Sequence, residues 1–186
     1  MPVTALDPKT ALIVVDLQKG IFGMLQPLQA EPIVQNASAL TKAFRSRGLP
    51  VVLVTVAGGA PGRTETPPRA REFPAGWMDL IPELDRQPSD HLVVKRTWGA
   101  FVNTGLADHL RGLGVTQVVI IGVSTSAGVE STARQAYEHG FNVTLATDGM
   151  TDLNAEVHTN SVTRIFPKLG ETGTTHDILH LLEQAK

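Results

Sequence analysis

The chain has 186 residues, 42% hydrophobic and 18% charged, with a formal net charge of −2 and no cysteine. That length and composition suit one globular domain spanning residues 1–186, with a sizeable core. The near-zero charge gives no electrostatic reason to expect nucleic acid or an acidic membrane as partner, and the lack of cysteine excludes disulfides, thiolate metal sites and a cysteine nucleophile. Met1-Pro2-Val3-Thr4-Ala5-Leu6-Asp7 carries no basic stretch leading into an apolar core, and no apolar run approaches the ~20 residues of a membrane span. A cytoplasmic location is the expectation.

Apolar runs alternate with helical patterns. Ala11–Asp16 reads as a buried strand, short and β-branched without alternation. A helix is predicted from about Glu31-Pro32, with Ile33, Ala37, Leu40 and Phe44 on one face and Gly48 at its end. Val51–Val56 and His91–Lys95 form the next strands. The intervening Ala57–Pro88 is rich in glycine and proline and carries Arg63, Arg69, Arg71, Phe73 and Trp77. A loop that long inside a compact domain suits a lid or a subunit contact.

A helix follows from about Thr104, with Leu106, Leu110 and Leu113 on its inner face. Val118–Val123 is a strand, Val129–His139 a helix and Asn142–Ala146 a strand. Asn154–Phe166 and Thr174–Ala185 read as helices, with a short extended piece near Leu169. The alternation predicts an α/β fold: three layers, helices on both faces of a mostly parallel, six-stranded sheet. Ligands of such folds gather outside the carboxyl ends of the strands.

Three polar features stand at those ends. Asp16 is either a turn cap or a carboxyl group usable as acid or base in an apolar setting. Lys95 either snorkels to solvent or pairs with Asp16. The turn Ser124-Thr125-Ser126-Ala127-Gly128 is either an ordinary strand–helix junction, capped by Thr125 or Ser126, or an anion site with amides of Ala127, Gly128 and Val129 as donors. Phe22, Trp98, Phe101 and Trp77 could wall a pocket for a small, partly apolar acid or amide. Ser124 and Ser126 are poor substitute nucleophiles, because the closing glycine of G-x-S-x-G is missing and no histidine neighbours the turn in this layout. His176 and His180 share a helix face at i, i+4 spacing, but their surroundings suit an ordinary surface; neither a metal nor another cofactor is expected.

Ala11-Leu12-Ile13-Val14-Val15-Asp16-Leu17-Gln18, Lys95-Arg96-Thr97-Trp98-Gly99-Ala100-Phe101 and Gly122-Val123-Ser124-Thr125-Ser126-Ala127-Gly128-Val129-Glu130-Ser131-Thr132-Ala133-Arg134, with Asp148 and Asp152 further on, follow in one order. Together they resemble the isochorismatase-like hydrolases, also called the cysteine hydrolase superfamily, over nearly the whole chain. The resemblance implies a triad of Asp, Lys and Cys in the amidase members, with Asp16 and Lys95 at the first two positions and Gly128 at the third. A glycine cannot be acylated, so it excludes covalent amidase chemistry there. Isochorismatases that cleave a vinyl ether similarly have glycine, with the aspartate as proton donor and water completing the reaction. Their turn has Ala-His where Thr125-Ser126 stand, so the substrate stays open. Ser124, Thr125 and Ala127 would contact it.

The resemblance further implies a non-proline cis peptide at Val123–Ser124, a small-molecule substrate and a homo-oligomer. The metal-binding Asp and His of nicotinamidase-type members have no counterpart in Ala57–Arg63. A rival expectation is an inactive descendant that binds a small carboxylate or serves as an assembly subunit.

Overall fold

The computed structural model describes residues 2–65 and 73–184, without the side chains of residues 27–29. Arg69 and Arg71 of the expected lid or subunit contact, and Ala185 of the last helix, lie outside the described residues.

Six strands, β1 (Thr10–Val15), β2 (Val51–Val56), β3 (His91–Lys95), β4 (Gln117–Val123), β5 (Asn142–Thr151) and β6 (Glu171–Gly173), form one sheet in the order β3-β2-β1-β4-β5-β6. Every neighbouring pair is parallel. The chain runs outward from β1 to β3, then restarts at β4 and runs outward the other way. The order therefore reverses between β1 and β4, and their carboxyl ends form the crevice where such sheets hold ligands.

β1, β2 and β4 are buried along their whole length, which is why each reads as a continuous apolar run. Alternate side chains of β1 enter two cores. Ala11, Ile13 and Val15 join Leu106 and Leu110 of α3 (Leu106–Gly112) and Ala133 and Ala136 of α4 (Glu130–Glu138). Leu12 and Val14 join Ala37, Leu40 and Phe44 of α2 (Pro27–Ser46) and Ile178 and Leu182 of α6 (Thr175–Gln184). Helices thus cover both faces, as expected.

Several boundaries differ from expectation. A single helical turn, α1 (Lys19–Phe22), follows β1, and α2 starts at Pro27, whose missing N–H is harmless at the first turn, and holds Pro32 inside. α3 stops at Gly112, so Leu113 is exposed and Val115 is buried instead. β5 runs to Thr151 through a register shift opposite Ile120/Gly122, because Met150 and Thr151 rejoin Gly122 and Val123. The helix expected over Asn154–Phe166 is α5 (Ala155–Asn160), a π-helical turn over Ser161–Ile165 and a 3₁₀ turn over Phe166–Lys168. The extended piece expected near Leu169 is β6, at Glu171–Gly173.

At the amino end of β3 the rings of His91 and His109 stack with centroids 3.6 Å apart. Burial, then the charge of His109, holds His91 below the ordinary histidine range. The unfolded chain therefore takes up a proton on His91 at higher pH than the folded one. This contribution to stability is present near neutrality and is lost as pH falls below the ordinary value of about 6.5. Thermal melts from about pH 7.5 to about pH 5 should show a shallower decline in His91→Gln than in the unaltered protein; equal slopes would refute the assignment.

Candidate active site

Asp16 ends β1 with φ of 54°, a left-handed conformation that aspartate tolerates better than most residues. Its amide still donates to the Val54 carbonyl at 2.9 Å, so the residue turns out of the sheet from a fixed point. Lys95 ends β3, two strands away, a span of about 10 Å between strand axes. Its side chain crosses the carboxyl end of β2, and Nζ donates to Asp16 Oδ2 at 2.7 Å and to the Thr97 carbonyl at 3.3 Å. Asp16 is 5% exposed and Lys95 1%. Of the two readings of Lys95, the ion pair is the one observed.

The turn after β4 approaches from the other side. Gly122, with φ of 124°, packs so closely on β1 that any side chain would overlap the Val15 carbonyl. The Val123–Ser124 peptide is cis. The next residues, Thr125–Val129, make a π-helical turn in which the amides of Ala127 and Val129 both donate to the Ser124 carbonyl, at 3.2 and 3.1 Å. Two of the three amides expected to serve as anion donors are thus used inside the turn, because it closes back on Ser124. π-turns of this kind recur at functional sites.

Gly128 brings the turn against Asp16. A β-carbon at 128 would stand 3.0 Å from Asp16 Oδ2 and 3.0 Å from Val15 Cγ1. Its backbone does not demand glycine, and an added β-carbon would be a tight fit rather than an overlap. Asp16 Oδ2 is therefore the atom at which the ends of β1, β3 and β4 meet.

Two further side chains grip the turn. Asp152 Oδ2 accepts from both the amide and the hydroxyl of Ser126, each at 2.8 Å. His158 Nδ1 lies 2.8 Å from Thr125 Oγ1. A histidine thus does neighbour the turn, contrary to the sequence layout. It arrives from α5, and the threonine it reaches is fully buried. Asp148 acts elsewhere. Its Oδ1 accepts from the amide and hydroxyl of Thr175 at the start of α6, at 2.7 and 2.9 Å.

The chain matches the Isochorismatase domain over residues 10–177. It belongs to the isochorismatase family. The isochorismatase family protein YecD of Escherichia coli O157:H7 is 38% identical over 180 residues, covering 93% of this chain and 96% of that protein. Nicotinamidase 3 of Arabidopsis thaliana is 32% identical over 169 residues, covering 82% and 79%. The solved structure of an isochorismatase family protein from Burkholderia thailandensis superposes with a TM-score of 0.91 at 38% identity, covering 96% of this chain and 98% of that one.

Within this isochorismatase fold the remaining candidate residues take varied places. Ser124, Ser126 and Ala127 are partly exposed beside the buried Thr125 and Gly128. Phe22 packs partly buried against the core shared with α2, and Phe101 enters the opposite core beside Phe141, with ring centroids 6.0 Å apart. Trp98 is 65% exposed. Trp77 stacks on Phe73 at 4.0 Å and lies so flat on Gly20 that a β-carbon there would overlap the indole. Gln18 is fully buried; its Oε1 accepts from the Val56 amide at 2.7 Å, and its Nε2 donates to the Trp77 carbonyl at 3.3 Å. The segment carrying Trp77 is thereby fastened just beyond Asp16. His176 and His180 lie with ring centroids 6.5 Å apart, and among the described residues no group of three or more His, Asp or Glu is placed to hold a metal. No described helix is long and apolar enough to cross a membrane.

Proposed function

We propose that this member of the hydrolase family cleaves a small molecule at a vinyl ether, or a related C–O or C–N bond, without a covalent intermediate. One observation carries this reading: the carboxylate of Asp16 lies against a residue with no side chain, so the reacting atom available at this point is the carboxylate itself. Asp16 takes up a proton from solvent and gives it to the terminal vinyl carbon, and the Lys95 ammonium at 2.7 Å stabilises the carboxylate left behind, restoring the ion pair. Water adds to the adjacent carbon. Its first proton returns to Asp16; its second leaves on the alcohol oxygen as the C–O bond breaks, giving an alcohol and a ketone. Gly128 supplies room, and Ser124, Thr125 and Ala127 position the substrate. The glycine takes the place of the catalytic cysteine of amidase members. Phe22 and Trp98 complete the assignment as apolar contacts of the substrate, in a cytoplasmic, homo-oligomeric, single-domain enzyme; the expected Phe101 drops out, because its ring is buried against His139 and Phe141 at the amino end of the sheet.

A second reading rests on how closed the pair is: with Asp16 and Lys95 so buried, the chain could bind a small carboxylate without turning it over. A panel of isochorismate, amides and carbamoyl compounds, followed for product and for ligand-induced thermal shift, separates the two. Turnover of a vinyl ether, lost in Asp16→Asn, is the expected result. Thermal shifts without product across the panel would favour the inactive reading.

A further inference from the structure

The corners of the site are also joined through a route that avoids the ion pair. Beyond Lys95, the chain turns through Thr97, whose carbonyl accepts from Nζ and whose hydroxyl donates to the Gly99 carbonyl at 3.1 Å. The next amide, Ala100 N–H, donates to Thr132 Oγ1 at 3.1 Å. The Thr132 hydroxyl in turn donates to the Gly128 carbonyl at 2.6 Å. Phe101 N–H donates to Gln135 Oε1 at 2.9 Å, and the Gln135 amide packs so closely on Gly99 that a β-carbon there would overlap it. The contacts close a ring: Asp16, Lys95, the 97–100 turn, Thr132, Gly128 and back to Asp16.

Thr132 is fully buried in α4. A hydroxyl has one hydrogen to give, and here the Gly128 carbonyl takes it, so the oxygen faces Ala100 as acceptor. One side chain therefore sets the separation between the loop that carries the lysine's second partner and the turn that carries Gly128. We infer that Thr132, assisted by Gln135, is a positioning residue of the site, holding the Lys95 arm in place through the 97–100 turn. This rests on the assignment of Asp16, Lys95 and Gly128 given above.

Valine nearly matches threonine in shape but can make neither bond, and it leaves the buried Ala100 amide without its acceptor. Serine keeps both bonds. The test reads the lysine directly and needs no substrate. The full-length protein is treated with limiting acetic anhydride, and acetylation of Lys95 is measured by mass spectrometry relative to the exposed Lys9 and Lys168. Thr132→Val should raise the Lys95 ratio about tenfold, with Thr132→Ser near the unaltered protein. Thr144→Val is the control. Thr144 is equally buried and accepts from Gln117 Nε2 at 2.9 Å at the far end of the sheet, so its loss tests general loosening.

An unchanged Lys95 ratio in Thr132→Val would overturn the inference, as would an equal rise in Thr144→Val at a matched thermal midpoint. If Thr132→Val does not fold, Gln135→Met on the more accessible face of α4 takes its place. A rise of about threefold is then expected, and no rise would overturn the inference equally. A negative substrate panel alongside a positive labelling result would leave Thr132's role standing while removing the proposed reaction.

Discussion

Asp16→Asn is expected to lower turnover of the cleaved substrate by about 10²–10⁴-fold, the range that one positioned acid–base group supplies. The same substitution should also destabilise the fold. Lys95 is 1% exposed, and its ammonium would lose the carboxylate 2.7 Å away. Breaking one side of a buried pair typically costs about 3–5 kcal/mol, because the remaining charge keeps neither its hydration nor its counter-charge. The two losses have different cures. Adding Lys95→Met to Asp16→Asn removes the stranded charge while keeping an apolar stem across the end of β2. Denaturant melts should show the double variant recovering most of the lost stability, while its turnover stays at the level of Asp16→Asn. Full turnover in Asp16→Asn would dispose of the acid–base role. A double variant no more stable than the single one would mean that the pair is not the buried, mutually dependent contact that its geometry indicates.

The parts of this arrangement that show in the sequence are those where burial changes abruptly. β1 and β4 are buried on both faces, so they appear as unbroken apolar runs, and a charged residue ending such a run is conspicuous. Asp16 is found that way; Lys95 is found at the end of the apolar run of β3, an edge strand with Leu92 and Val94 exposed. Their meeting is not, because 79 residues separate them and only the order β3-β2-β1 brings them to one edge. β6 is three residues with no apolar run, legible only as something extended near Leu169. The extension of β5 is hidden by Thr147-Asp148-Gly149, which reads as a turn; here the chain bends and then rejoins β4, delivering Asp152 to Ser126. His158 escapes for a related reason. A continuous helix over Asn154–Phe166 would place its residues by simple 3.6-residue periodicity, whereas α5 gives way to a π-turn at Ser161, and periodicity does not show which face meets Thr125.

Gly128→Ala is expected to be the most informative single methyl group in this protein. Its β-carbon would come 3.0 Å from Asp16 Oδ2 and equally close to Val15 Cγ1. Val15 ends β1, is fully buried and is paired in register with Val54 and Gly122, so it has little room to yield. The carboxylate, a side-chain terminus, gives way instead, lengthening its bond to Lys95 Nζ. Overpacking of this kind costs about 1–3 kcal/mol. The shift required is a few tenths of an ångström, less than the ~1 Å misplacement that can cost about 10²-fold in rate. Gly128→Ala should therefore remain folded, with a modestly lower melting midpoint, and show kcat reduced by about tenfold. Gly128→Cys carries the same β-carbon and adds a thiol next to Asp16, whose Oδ2 is held by the Lys95 ammonium, the cation that favours a thiolate. That thiol should react with iodoacetamide faster near neutral pH than an ordinary cysteine, and Lys95→Met should slow it. An inert thiol would place position 128 away from the pair. Unaltered kcat in Gly128→Ala would show that Asp16 Oδ2 is not where the proton is exchanged, because no other atom of the proposed mechanism stands so close to the added methyl group.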